Sequence, residues 1–383
     1  MDQLTFEQLK ALSQPREEWC LSLYIPTHRA GPEIEQDRIR YKNLLAEAED
    51  TLAGMGWKNR EITTFLKPAM DLLQQSDFWQ NQSDGLTVFL AHDEFYTFRL
   101  PIRFTEFVLI SKRFHLKPIL PMFMESLDFK ILALSQNEVK LFDCTTVNIE
   151  EHDLAAKIPN YAETMRFDQF IKQTQFHTGT SRREGGERAG MYFGHDPKDD
   201  EKSHLMNWFH KLTDTLSSYL HKDRAPIILA GVKSLLPMFE QANDSLPLVK
   251  EGIVGNPEEK NPQQLHHSGV AILEKKLMNE LEAEKNRYFD LSKKELSTSG
   301  IDTIVRSAYH GRMDVLFYTP DIHIWGKYDA ESSDIERHDE FQAGDDDLID
   351  IAAVTTILRG GKVYQMPLDE MPEQKKLAGI LRY

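Results

Sequence analysis

Cysteine is nearly absent from this 383-residue chain: Cys20 and Cys144 are the only two. Two are too few for a disulfide framework or a four-thiolate zinc site, so a reducing, cytoplasmic setting is expected. Long apolar runs are missing as well. No stretch approaches the ~18 residues of a membrane span, and the first residues, "MDQLTFEQLKALSQ", lack the basic and then apolar run of a signal peptide. Positive charge is in deficit, with 45 Lys and Arg against 61 Asp and Glu and a formal net charge of −16. Such a balance opposes indiscriminate binding to nucleic acid or to an anionic membrane, so any contact with nucleic acid has to come from local basic patches. The chain also has no Gly-x-Ser-x-Gly elbow, no Walker loop and no Gly-x-Gly-x-x-Gly after a strand, which removes the common hydrolase and nucleotide-binding signatures. No cofactor and no membrane partner are expected.

What is present is an alternation of helix and strand patterns over a length too great for one core, since single cores stop growing near ~250–300 residues. The pattern predicts a three-domain α/β protein divided at 1–124, 125–268 and 269–383. Near the start, "WCLSLYIPTHRAGPE" predicts a strand from Cys20 to Ile25 stopped by Pro26. A helix follows in "EQDRIRYKNLLAEAEDTLAGMG", where Ile39, Leu44, Leu45, Ala48 and Leu52 recur near helical spacing. A second helix is expected at about 59–75, then a strand pair in "DGLTVFLAHDEFYTFRLP".

"FKILALSQNEVKLFDC" predicts the hairpin that opens the middle domain. A broken polar stretch from 148 to 200 precedes a helix at 202–221 and the short apolar strand in "APIILAGV". "EEKNPQQLHHSG", residues 258–269, reads as a linker. Beyond it come a long charged helix with Leu273, Leu277, Leu281 and Tyr288 on one side, a helix at 300–309, strands at 314–318 and 322–325, a helix at 347–358 and a strand at 362–366. Asp345 or Asp346 is placed to cap the 347–358 helix, and Gly360 with Gly361 to end it. The acidic tract at 329–347 reads as a solvated insertion. His204 and His210 are six residues apart and do not share a helix face, and the His266–His267 pair has no carboxylate or cysteine at ligand spacing, so no metal site is expected.

Within this order, "LSLYIP" (Leu21 to Pro26) followed by a helix and "DGLTVFLAHDEF", then "DFKILALSQNEVKLF" with "ILAGV", and finally "LAGILRY" at Leu377 to Tyr383 resemble the class-1 peptide-release factors of archaea and eukaryotes and their rescue relative Pelota. Among bacterial proteins the chain resembles the bacterial archaeo-eukaryotic release-factor homologues. The resemblance implies a ribonuclease-H-like middle domain and a C-terminal α/β sandwich similar to kink-turn-binding ribosomal proteins. It also implies a ribosomal (rRNA) partner and a translational GTPase docked through the C-terminal domain.

Where the release factors carry a Gly-Gly-Gln loop, this chain has Gly185, Gly186 and Glu187 within "SRREGGERAG". Glycines suit close approach of backbone to RNA. A glutamine amide both donates and accepts hydrogen bonds, whereas an ionised glutamate only accepts, and an oxyanion needs donors. Arg182, Arg183 and Arg188 suit RNA phosphates. In the N-terminal helix, Arg38, Arg40 and Lys42 supply charge and Tyr41 one stacking ring, without the Asn-Ile-Lys-Ser loop of stop-codon readers. The expectation is an A-site-binding factor in ribosome rescue, termination or hibernation, without efficient peptidyl-tRNA hydrolysis. The alternatives are a peptidyl-tRNA hydrolase using Gly185, Gly186 and Glu187, and an RNA- or protein-binding module off the ribosome.

Overall fold

The computed structural model describes residues 2, 4–31, 33–123, 128–135, 138–145, 148–152, 197–221, 223 and 225–383. The architecture is mixed α/β, with four sheets among the described residues. The chain divides into two compact units, Met1–Ser126 together with Leu281–Tyr383, and Leu127–Glu280.

The first unit opens with α1 (Phe6–Leu12), started by a reciprocal capping box in which the Thr5 hydroxyl accepts from the Gln8 N–H and the Gln8 side chain accepts from the Thr5 N–H. Strand β1 (Cys20–Pro26) leads to α2 (Ile34–Gly54), α3 (Asn59–Leu72), the short α4 (Ser76–Gln80) and strands β2 (Gly85–Leu90), β3 (Phe95–Leu100) and β4 (Phe107–Ser111). These form an antiparallel sheet in the order β3-β2-β1-β4. Every residue of β2 is buried, because the sheet is covered on both faces. Leu21, Leu23, Ile25, Leu86 and Val88 pack with Leu45, Leu52 and Leu66 of α2 and α3. Cys20, Tyr24 and Phe89 point the other way, into a core shared with the C-terminal third of the chain. Ile39, assigned to the apolar stripe of α2 by its spacing, is instead 58% exposed.

In the second unit, β5 (Phe129–Leu134), β6 (Val139–Cys144) and β7 (Ile149–His152) run antiparallel, while β8 (Ile227–Gly231) and β9 (Ile253–Val254) continue parallel to β5. The order β7-β6-β5-β8-β9 is that of a ribonuclease-H-like sheet. Helices α5 (Pro197–Tyr219) and α6 (Leu236–Ala242) cover one face through Phe209, Leu212, Leu216 and Phe239. The start of α7 (Pro262–Ser292) covers the other through Leu265 and Leu273.

Residues 262–269, expected to be linker, are therefore the first turns of α7. The Asn261 carboxamide oxygen accepts from the Gln264 N–H (2.8 Å), the Gln264 carboxamide accepts from the Asn261 N–H (3.0 Å), and Pro262 needs no donor there. The Asn-Pro pair that looks like a loop is a helix start.

The remaining elements belong to the first unit: β10 (Ser297–Thr298), α8 (Ile301–Tyr309), β11 (Met313–Tyr318), β12 (Trp325–Tyr328), β13 (Ile335–His338), β14 (Asp346–Asp347), α9 (Leu348–Leu358), β15 (Lys362–Gln365) and β16 (Leu377–Leu381). They make a mixed sheet, β10-β16-β11-β15, and a small one, β13-β12-β14. The strand expected at 322–325 begins only at Trp325. The 329–347 tract is not a solvated insertion, since β13 and β14 lie in it and Asp345 and Asp347 are fully buried. The cap of α9 is Asp347 rather than Asp345 or Asp346, its carboxylate accepting from the Ile349 N–H at 3.0 Å. Gly360, at φ +75°, ends the helix as expected. Helix α9 is apolar nearly all round because it lies inside the shared core.

Gly269 marks how closely α7 approaches its sheet. A Cβ there would fall 2.6 Å from Phe129 Cε2 and 3.0 Å from Ile131 Cδ1. Alanine favours a helix over glycine by about 1 kcal/mol, but overpacking a core costs about 1–3 kcal/mol. Gly269→Ala is expected to lower the denaturation midpoint of the chain, and an unchanged or raised midpoint in urea titration counts against this packing.

Candidate functional site

Gly185, Gly186, Glu187, Arg182, Arg183 and Arg188 lie outside the described residues. The cations of α2 are described, and two of the three are held locally. Arg38 Nη2 donates to the Leu73 carbonyl oxygen at 2.8 Å. Arg40 pairs with Asp37 at 3.1 Å and with Glu106 at 3.2 Å. Lys42 is exposed. Tyr41 is no stacking ring: it is fully buried, its hydroxyl donates to the Ala69 carbonyl at 2.9 Å, and its ring packs against Trp79. Helical spacing turns position 41 inward between the outward positions 38 and 42.

The first turn of α2 is tied to the loop before it. The buried Asp37 carboxylate accepts from the main-chain N–H of His28 at 2.8 Å and lies 2.9 Å from the His28 ring. Arg29 pairs with Asp84 at 2.6 Å. His28, Arg29, Asp84 and Arg103 border a surface cavity of about 530 Å³.

A second constellation joins the N-terminal and C-terminal thirds inside the first unit, and it centres on the segment His115–Lys117. From the N-terminal side, Ser22 Oγ of β1 accepts from the His115 N–H at 2.9 Å, and the Tyr24 hydroxyl donates to the His115 carbonyl. From the C-terminal side, Asp350 Oδ1 of α9 accepts from the main-chain N–H of Leu116 (2.7 Å) and of Lys117. The Lys117 ammonium lies 2.6 Å from Asp347 Oδ2 and donates to the Ile322 carbonyl at 2.7 Å.

Asp347 has both oxygens engaged. Its Oδ1 accepts from the N–H groups of Ile349 and Ile324, and its Oδ2 meets Lys117 and, at 2.9 Å, His323 Nδ1. The His323 ring is stacked between Phe107 at 5.1 Å and Trp325 at 4.9 Å. His115, Lys117 and His323 open onto a cavity of about 350 Å³ walled also by Phe107, Asp321 and Gln365.

The electrostatics follow from burial. Burial pushes the Asp347 carboxyl up, but the Lys117 ammonium and the hydrogen bond with His323 pull it further the other way, so it is held well below the usual carboxylate range. Asp350 is pushed up to about 8 by burial and then by repulsion from Asp347. Burial drives the His115 imidazole well below its ordinary value, only partly offset by Asp347. The arrangement is a buried anion–cation pair with a neutral His115 imidazole beside it.

With both constellations placed, the comparisons can be set against them. Residues 129–275 match the family described as bacterial archaeo-eukaryotic release factor family 7. Over this stretch the chain is similar to the archaeo-eukaryotic release factors. That class is one of translation factors, and the matched segment falls within the second unit and spans the positions of Gly185, Gly186 and Glu187. Among solved structures, the archaeal translation termination factor aRF1 is similar at 16% identity, covering 98% of this chain and 96% of its own, with a TM-score of 0.22. Ribosome-bound archaeal Pelota, with ABCE1, matches at 12% identity over 77% of this chain and 73% of its own, with a TM-score of 0.37. Dom34 of S. cerevisiae matches at 13% identity over 76% and 74%, with a TM-score of 0.32. No curated protein matches.

The release-factor match ends short of the buried constellation, which lies in the first unit. Sequence reasoning missed His115, Lys117, His323, Asp347 and Asp350, because more than two hundred positions separate Lys117 from its carboxylate and no local spacing connects them. The one available signal was the acidic tract, whose last residues include a helix cap.

Two ion pairs of equal length test the weight of burial. Lys117–Asp347 and Arg29–Asp84 both measure 2.6 Å, but the side chains are 2% and 0% exposed in the first and 49% and 40% in the second. Removing one partner of a buried pair strands a charge and costs about 3–5 kcal/mol, whereas an exposed pair contributes about 0–1 kcal/mol. Lys117→Met is expected to lower unfolding free energy by that larger amount and Arg29→Met by no more than the smaller; equal losses in chemical denaturation would contradict the assignment.

Proposed function

We propose that the protein is a ribosome-engaging factor of release-factor type that occupies the A site in rescue, termination or hibernation, with weak or no peptidyl-tRNA hydrolysis. The observation that carries the reading is the family match over residues 129–275, the span in which Gly185, Gly186 and Glu187 lie, and in this reading those three residues are the counterpart of the release loop. The middle-domain loop lies toward the peptidyl-transferase centre and α2 toward the decoding centre.

Glu187 supports the non-hydrolytic form of the proposal. A carboxylate cannot donate to a developing oxyanion, and it is repelled by that charge and by neighbouring phosphates. Backbone freedom at Gly185–Gly186 and the charges of Arg182, Arg183 and Arg188 suit a loop that fits against ribosomal RNA without doing chemistry. With Arg38 and Arg40 engaged within the fold, Lys42 and the loop arginines are the cations to which RNA contact is assigned. Dom34 is described as interacting with Hbs1; for this chain the corresponding partner is a translational GTPase bound through the C-terminal third. No helix among the described residues is long and apolar enough to cross a membrane, in keeping with a cytoplasmic site of action.

Co-sedimentation with 70S ribosomes over a salt series tests the proposal. Saturable binding is expected, weakening as salt rises because phosphate contacts release counterions, and weakening further in a Gly185→Ala, Gly186→Ala, Arg183→Ala triple variant. On ribosomes carrying peptidyl-tRNA the wild type is expected to release no peptide above background. Release that changes with Glu187→Gln would establish a hydrolase instead, and absence of binding to any ribosome would leave a release-factor fold acting elsewhere.

A further inference from the structure

His115 is not accounted for by the buried ion pair. Its side chain is 1% exposed, and neither ring nitrogen has a hydrogen-bond partner. The nearest carboxylate oxygen, Asp350 Oδ1, is 3.7 Å from Nδ1, beyond hydrogen-bond reach. A neutral imidazole carries one donor and one acceptor, and a buried polar atom left unmatched costs about 1–3 kcal/mol. The ring is not aimed into apolar surroundings. One ring nitrogen each of His115 and His323 and a carboxylate oxygen of Asp347 lie within 4.8 Å of one another, and His115 and His323 face the cavity of about 350 Å³.

We propose that His115, His323 and Asp347 form a binding site for a borderline divalent cation of the Zn²⁺ type, which the Lys117 ammonium holds closed in this structure. Two imidazoles and one carboxylate are the donor set that zinc accepts, and nitrogen donors disfavour calcium and magnesium. The donor atoms around a tetrahedral zinc lie ~3.3 Å apart; His323 Nδ1 and Asp347 Oδ2, 2.9 Å apart, are already near that separation, which leaves the adjustment to His115.

Two of the three ligands are held in place from outside the site. The N–H groups of Ile349 and Ile324 fix Asp347 Oδ1 and aim Oδ2 inward, while Phe107 and Trp325 sandwich the His323 ring. Such outer contacts orient ligands before a metal arrives. The cavity beside His115 and His323 leaves room for a fourth, exchangeable ligand.

Lys117 occupies the position a cation would take. Its Nζ lies 2.6 Å from Asp347 Oδ2 and 3.4 Å from His323 Nδ1. A metal entering there displaces a single positive charge by a double one among carboxylates already present. The ammonium sits on a flexible four-carbon stem, and Lys117 and Asp321 both line the adjoining cavity. This inference concerns the first unit and stands independently of the proposed function.

The test is a titration of the purified full chain with Zn²⁺ followed by calorimetry, with Co²⁺ as an absorbance probe of coordination. One metal per chain is expected, with the visible bands of a nitrogen- and oxygen-coordinated cobalt. His115→Ala and His323→Ala should each weaken binding by at least ~10-fold, while a His204→Ala, His210→Ala variant should bind as wild type does. Lys117→Met, which empties the cation position, should bind zinc more tightly and regain thermal stability on adding it. The wild-type stoichiometry and cobalt spectrum decide the matter even if the histidine variants unfold. Absence of saturable binding at ~100 µM metal, far weaker than the affinities of protein zinc sites, or binding that His115→Ala and His323→Ala leave intact, overturns the site and makes His115 a hydrated structural imidazole.

Discussion

Lys117 and Asp347 fix the arrangement of the first unit. A lysine 2% exposed against an aspartate 0% exposed is tolerated only because each satisfies the other and neighbouring main-chain groups complete the set. The two residues come from opposite ends of the chain, and around them the segment His115–Lys117 is held by β1 on one side and by the first turn of α9 on the other. Apolar packing supplies most of the cohesion, since Tyr24, Phe89 and Phe114 share one core with Ile304, Leu316 and Ala352. Apolar contact is non-directional; the polar constellation sets the register in which the two thirds meet.

That union leaves the middle of the chain as a unit of its own, and the release-factor match falls within it. The sheet of that unit runs in the order β7-β6-β5-β8-β9, with an antiparallel first half and a parallel second half. In the sequence, Gly185 and Gly186 fall between β7 and α5, outside the described residues. Charge adds a second constraint. With a net charge of −16 and α2 arginines committed to Asp37, Glu106 and the Leu73 carbonyl, the proposed contact with RNA would rest on a few cations rather than on a basic face.

Much of the fold was legible because local rules agreed with the tertiary outcome. Leu86, Val88 and Leu90 alternate as a strand, and Gly360 ends α9 where the apolar pattern stops. The failures have local causes too. "EEKNPQQLHHSG" has the composition of a linker, yet Asn261 and Gln264 stand at capping-box spacing, and Gly269 is there to let the helix meet Phe129. The acidic tract reads as solvated because its partners are remote in sequence: Asp347 is neutralised by Lys117, and Asp345 is held by His338 at 2.9 Å. The His115–His323–Asp347 cluster could not be named from the sequence, since only folding brings those residues together.

The central claim is occupancy of the ribosomal A site, and direct competition addresses it most plainly. Ribosomes with a filled P site would be titrated with the protein in the presence of a fluorescent aminoacyl-tRNA cognate to the A-site codon. The account predicts mutual exclusion, with the tRNA signal falling as the protein binds and the protein released as tRNA is added. Simultaneous binding of both, with neither affinity altered, would contradict it.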